Sequence, residues 1–214
     1  MITNLESESW LQLLRLHRAI AVIRSYSLEI SLAMARAVAA GGMRIIEITW
    51  NSSQPAIIIQ QLRSELPHCT IGAGTILTQQ QLKEAMAAGA EFIFSPHVNP
   101  ALIDAALKAN ISIIPGALSP TEIVTAWQAG ATCVKIFPVQ ALGGASYIKS
   151  LQSPLGEIPL IPTGGVTLEN AREFIEVGAI AVGLSSELFP QPLVAERNWG
   201  AIAERAKTLC QLLQ

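Results

Sequence analysis

The chain contains five lysines, and four of them (Lys83, Lys108, Lys149 and Lys207) fall on segments with helical spacing, where a solvated lysine is ordinary. Lys135 differs, because it interrupts the apolar strand-like run TCVKIFP. Of sixteen acidic residues only Glu47, in MRIIEITW, is mid-strand; Glu91 stands at a strand entrance. Strand side chains alternate between faces, so Val134 and Ile136 share one face while Cys133, Lys135 and Phe137 share the other. Ile46 and Ile48 likewise oppose Ile45, Glu47 and Thr49. If the branched apolar residues face covering helices, Lys135 and Glu47 face inward together. A buried charge needs a partner, so one reading is a structural ion pair. The other is chemical. Burial disfavours the ammonium form of a lysine and frees a nucleophilic amine, and a nearby carboxyl can then carry protons.

Other polar residues stand where strands end. Arg24 ends the first, Thr75 the third and Pro96-His97 the fourth. Thr163-Gly164-Gly165 ends the seventh and Gly183-Leu184-Ser185 the eighth. Such glycine turns expose backbone N–H groups that can cradle a phosphate, although tight turns also need glycine for their own sake. No GxxxxGK[ST] run occurs, so a P-loop is not indicated. Metal chemistry is disfavoured: His17, His68 and His97 lack ligand spacing, and Asp104 is the only Asp. His97 alone is at a strand end, where it either touches a substrate or hydrogen-bonds within its loop.

These residues need a scaffold that brings strand ends together. Helical segments stop at Ala-Gly or a similar signal and pass at once into apolar strands: AVAAGG into MRIIEITW, AMAAGA into EFIFSP, AWQAGA into TCVKIFP. Strands are expected to begin near residues 19, 44, 69, 91, 111, 132, 158 and 180, at intervals of 20 to 26 residues. Strands and helices alternating at this period predict parallel βαβ units, and eight of them predict a single (β/α)8 TIM barrel over residues 1–214. An open doubly wound sheet is the rival, but the first strand, AIAVIRS, lacks the expected glycine fingerprint. An extra N-terminal helix over Ser9 to His17 would plug the barrel's N-terminal mouth. A last helix over Val194 to Leu213 would close the ring.

Composition agrees. Half of the 214 residues are apolar, only 14% are charged, and mean hydropathy is +0.41. That suits a sheet buried on both faces. No run approaches the ~18 apolar residues of a spanning helix. Net charge is -2 with no basic stripe, so neither nucleic acid nor membrane is expected as a partner. Three scattered cysteines and no basic, apolar leader point to a reducing cytoplasm.

Taken together, Gly42-Met43-Arg44-Ile45-Ile46-Glu47-Ile48-Thr49, Ile71-Gly72-Ala73-Gly74-Thr75, Ser95-Pro96, Val134-Lys135-Ile136-Phe137-Pro138 and Pro162-Thr163-Gly164-Gly165-Val166 resemble the class I 2-keto-3-deoxy-6-phosphogluconate (KDPG) / 4-hydroxy-2-oxoglutarate (KHG) aldolases. The resemblance spans nearly the whole chain, with the motifs in the family's order. It implies a (β/α)8 barrel, usually a homotrimer, acting on a keto acid through a Schiff-base lysine with no metal and no cofactor. Carried over, Lys135 is that lysine and Glu47 the acid/base. Arg24 and Thr75 help bind the pyruvyl carboxylate, Pro96 and Phe137 shape the pocket, and Gly164, Gly165, Gly183 and Ser185 match the phosphate site. The chain departs from the gluconate branch at Trp50-Asn51-Ser52. Asn51 with Gln54-Pro55, and Tyr147-Ile148-Lys149, resemble the 6-phosphogalactonate (KDPGal) branch and make Asn51 a substrate-binding candidate.

The expected reaction is cleavage to pyruvate plus glyceraldehyde 3-phosphate or glyoxylate. Oxaloacetate decarboxylation and KDPGal cleavage are alternatives on the same lysine. Two further readings separate by experiment: a phosphosugar isomerase or epimerase using Glu47, and a silent phosphometabolite-binding subunit. Neither traps a keto acid on Lys135. Trp127, Phe189 and Trp199 are either interface aromatics or domain packing.

Overall fold

The computed structural model describes residues 5–214. Eight strands alternate with helices: β1 (Ala19–Ile23), β2 (Ile45–Thr49), β3 (Thr70–Gly74), β4 (Phe92–Ser95), β5 (Ser112–Ala117), β6 (Val134–Ile136), β7 (Leu160–Pro162) and β8 (Val182–Leu184). Each begins within two residues of its expected start. All neighbours pair in parallel, in the order β7-β6-β5-β4-β3-β2-β1-β8. A parallel bridge from Thr163 to Gly183 and a hydrogen bond from Ile180 N–H to Leu160 O (3.0 Å) join the last two edges. The fold is a (β/α)8 barrel.

The helices are α1 (Leu5–His17), α2 (Leu28–Ala40), α3 (Pro55–Glu65), α4 (Gln79–Ala87), α5 (Pro100–Lys108), α6 (Pro120–Gln128), α7 (Ala145–Leu155), α8 (Ala171–Glu176), α9 (Gln191–Ala195) and α10 (Trp199–Leu212). Their ends follow local chemistry. In α6, Ser119 and Glu122 form a reciprocal capping box with Pro120 in the first turn. The same helix stops at Gly130, whose φ of +96° only glycine adopts cheaply; Gly130 N–H donates to Trp127 O and Ala131 N–H to Ala126 O. The expected single helix over 194–213 is instead two. Arg197 takes a left-handed φ of +53°, and Asn198 caps a new helix by accepting from Ala201 N–H.

Strand parity divides the core into two shells. Ile46, Ile48, Val134 and Ile136 face the helices in the outer shell. Ile20, Val22, Ile45, Phe92, Phe94, Ile114, Cys133, Ile161 and Ala181 fill the barrel. Trp10 and Leu14 of α1 join the inner shell, and Trp10 stacks on Phe92 at 4.6 Å between ring centroids. So α1 plugs the N-terminal mouth. Phe189 is buried, and Trp127 and Trp199 are part-buried against the outer shell. Among the described residues no helix is long and apolar enough to cross a membrane.

Candidate active site

With the N-terminal mouth plugged, the opposite mouth holds a cavity of about 270 Å³. Strand ends build it: Val22 from β1 and Arg24 just after it, Glu47 from β2, Thr75 after β3, Pro96 after β4, Lys135 from β6 and Phe137 just after it, Thr163 to Thr167 after β7, and Gly183 from β8 with Ser185 to Glu187 just after it. Larger surface hollows exist, but none of them contains the inward lysine or glutamate.

Lys135 is only 8% exposed. Its Nζ lies 5.4 Å from the Phe94 ring centroid and 5.1 Å from that of Phe137, so two aromatic faces flank the amine. Glu47 is 1% exposed, and its Oε1 has no hydrogen-bond partner. The two form no direct ion pair, although the Lys135 field still acts on Glu47. Burial pushes the Glu47 carboxyl above the ordinary carboxylate range, against the opposing fields of Lys135 and Arg24. A carboxyl tuned upward with a free oxygen is suited to give and take a proton.

Glycines on β3 make this placement possible. Glu47 pairs in register with Gly72, and a Cβ on Gly74 would overlap the Glu47 carboxylate. A Cβ on Gly72 would enter the Phe92 ring. Beyond β3, Thr75 holds a left-handed φ of +59°, a strained setting for a branched residue, as functional sites often store. Arg24 is exposed at the rim and makes no hydrogen bond or ion pair among the described residues. Its loop is braced: Ser25 N–H donates to Ser52 Oγ (3.3 Å), and Ser52 Oγ meets Thr49 Oγ1 at 3.0 Å.

Opposite Lys135 the wall is backbone. Gly164 and Gly165 take φ of +84° and +92°. Side chains there would press on Phe137 and overlap Gln140. The N–H groups of Gly165, Ser185 and Ser186 donate to no protein acceptor among the described residues. Free N–H groups converging on a cavity suit an anion.

The cavity thus gathers Lys135, Glu47, Arg24, Thr75, Pro96, Phe137, Gly164, Gly165, Gly183 and Ser185. It does not gather Asn51. That residue lies exposed in the turn after β2, and its neighbour Ser52 takes the inward, buried place. His97 does not line this cavity, and its Nδ1 meets Ser95 Oγ at 3.1 Å within its own loop. Ser186, Thr167 and Glu187 also line the cavity, although nothing in their own sequence pattern singles them out. Ser186 and Glu187 follow the strand eight turn directly, and that adjacency is the available signal. No three His, Cys, Asp or Glu side chains gather as a metal cluster among the described residues.

The family model for KDPG and KHG aldolases matches residues 11–205. The chain belongs to the KDPG and KHG aldolase family. A 2-dehydro-3-deoxy-phosphogluconate aldolase of Treponema pallidum is 33% identical over 196 residues, covering 92% of this chain and 93% of that one. A KDPG aldolase of Legionella pneumophila, captured with pyruvate as a covalent carbinolamine, superposes with a TM-score of 0.86 at 30% identity, over 93% and 97% of the two chains. A native KDPGal structure gives a TM-score of 0.82 at 32% identity, over 91% and 93%. As a KDPG and KHG aldolase family member the chain is a carbon–carbon lyase.

Proposed function

We propose that this enzyme is a Schiff-base aldolase cleaving a 2-keto-3-deoxy-6-phospho sugar acid, 4-hydroxy-2-oxoglutarate, or both, to pyruvate and an aldehyde. One observation carries the assignment of roles. The only lysine inside the barrel among the described residues lies in the same cavity as a buried, upward-shifted glutamate with an unpaired oxygen.

In this reading the Lys135 amine attacks the C2 ketone to give a carbinolamine; Glu47 gives its proton to the departing hydroxyl, water leaves, and an iminium forms. Glu47 takes the proton of the C4 hydroxyl. The C3–C4 bond breaks, its electron pair flows toward the iminium nitrogen as an enamine, and the aldehyde departs. Glu47 returns the proton to C3. Water adds to C2, and pyruvate leaves as the amine is restored. Arg24 and Thr75 hold the keto-acid carboxylate, Pro96 and Phe137 wall the reacting carbons, and Gly164, Gly165, Gly183 and Ser185 receive a phosphate when the substrate has one. The chemistry requires no metal or organic cofactor. The partner is the small keto acid, and the working assembly is a homotrimer in the cytoplasm.

The test is reduction with borohydride in the presence of pyruvate, followed by peptide mapping. A reduced pyruvyl adduct is expected on Lys135 and on no other lysine. Absence of that adduct would sink the aldolase assignment and favour the isomerase reading. Rates on KDPG, KDPGal, 4-hydroxy-2-oxoglutarate and oxaloacetate, measured side by side, then rank the substrates.

A further inference from the structure

The phosphate end of the cavity contains an acid. Glu187 lines it beside Gly164, Gly165, Ser185 and Ser186, where a phosphate would meet a like charge. The cations lining the cavity are Lys135, assigned above to the ketone, and Arg24, delivered by β1. Neither pairs with Glu187. Arg205, from α10, does. Its Nε donates to Glu187 O at 2.8 Å and its Nη2 to Glu187 Oε1 at 2.5 Å. The two side chains are 29% and 32% exposed, so the contact is partly shielded from water. One guanidinium thus grips both the backbone and the side chain of a single cradle residue. On the other side of that residue Leu188 and Phe189 are buried, and their N–H groups return to Ser185 O. The turn is pinned at both ends.

We propose that Arg205 is a positioning residue for phosphorylated substrates: by binding Glu187 it masks that carboxylate, so that the cradle accepts a phosphate monoester. The proposal rests on the aldolase reading above. Arg205 meets the cradle only through Glu187, and its two-pronged contact needs the planar fork that lysine lacks.

The test compares KDPG with 4-hydroxy-2-oxoglutarate, which has no phosphate, on the wild type and on Arg205→Gln, Arg205→Lys, Glu187→Gln and the Glu187→Gln/Arg205→Gln double variant. Arg205→Gln is expected to raise KM for KDPG roughly tenfold, the size of one lost charge-assisted contact, with kcat reduced much less. The effect on 4-hydroxy-2-oxoglutarate should be several times smaller. Arg205→Lys should fall between Arg205→Gln and the wild type. In the double variant the charge to be masked is gone, so most of the KDPG loss is recovered. Glu187→Gln alone should match or improve on the wild-type KM for KDPG. The proposal is overturned if Arg205→Gln weakens both substrates equally, if the double variant stays as poor as Arg205→Gln, or if Glu187→Gln itself weakens KDPG. The last arm holds even where Arg205→Gln fails to fold. Borohydride trapping of pyruvate on the wild type separates the two ideas: trapping without phosphate selectivity refutes only the role of Arg205.

Discussion

Gly74 and Glu47 share one space: the position a Cβ would take at residue 74 is already occupied by the Glu47 carboxylate. The neighbouring strand therefore fixes where the Glu47 carboxylate can sit, although it contributes no functional group there. Gly74→Ala forces Glu47 to move. Overpacking of this kind costs ~1–3 kcal/mol of stability, and an ångström of misplacement costs on the order of 100-fold in rate. The expected variant is folded, with slightly lowered Tm and kcat down about 100-fold. Circular dichroism melting alongside steady-state kinetics checks this, and a fully active Gly74→Ala would show that Glu47 need not sit where it does.

Glu47 also sets a pH dependence. The unfolded chain ionises this carboxyl near pH 4.5, whereas burial keeps the folded one protonated to higher pH. The folded state binds the extra proton, so stability falls as pH rises between the two values, by up to ~1.4 kcal/mol per pH unit. Below pH 4.5 both states are protonated and the penalty vanishes. Glu47→Gln removes a titration and keeps the shape. It should raise Tm at pH 7 but not at pH 4, while lowering kcat by about 10²–10⁴-fold. A Tm difference that is flat with pH would contradict the burial argument.

Gly165 offers a test of the cradle that leaves the lysine alone. Its φ of +92° and the overlap of an added Cβ with Gln140 mean that Gly165→Ala must shift the turn. KM for KDPG should rise by roughly tenfold, the equivalent of about 1.4 kcal/mol of lost binding. Borohydride should still trap pyruvate on Lys135. Loss of trapping would mean that the turn supports the whole cavity and not one end of it.

Much of this was legible in the sequence, for a physical reason. Alternation along a strand is a local rule, so the inward direction of Lys135 and Glu47 followed from their immediate neighbours. Helix stops such as Gly130 are equally local. What escaped depends on contacts between distant segments. That Gly74 makes room for Glu47 requires knowing the β2–β3 register. That Glu187 is gripped by Arg205 requires knowing that α10 packs under the β8 turn; in sequence both are ordinary charges. Asn51 failed for a smaller reason. In a turn, one residue of shift decides which side chain points inward, and here Ser52 takes that place. The break at Arg197 escaped because nothing in its residue type announces a left-handed backbone.

The plug at the far mouth separates stability from chemistry. Trp10 is 5% exposed and stacks on Phe92, which itself stands edge-on to Phe94 at 5.8 Å. Phe94 in turn flanks the Lys135 amine. The stack therefore runs through the barrel interior from α1 to Lys135. Trp10→Ala leaves a cavity at its base, and such truncations cost ~3–5 kcal/mol. For a chain of this size that lowers Tm by roughly 6–20 °C. Because close-packed rings relax only partly, Phe94 should keep its place. Turnover per folded molecule at 25 °C, with active sites counted by borohydride trapping, should stay within about twofold of the wild type, whereas the denaturation midpoint drops. A matching loss of kcat in fully folded Trp10→Ala would show instead that the ring stack transmits its packing to Lys135.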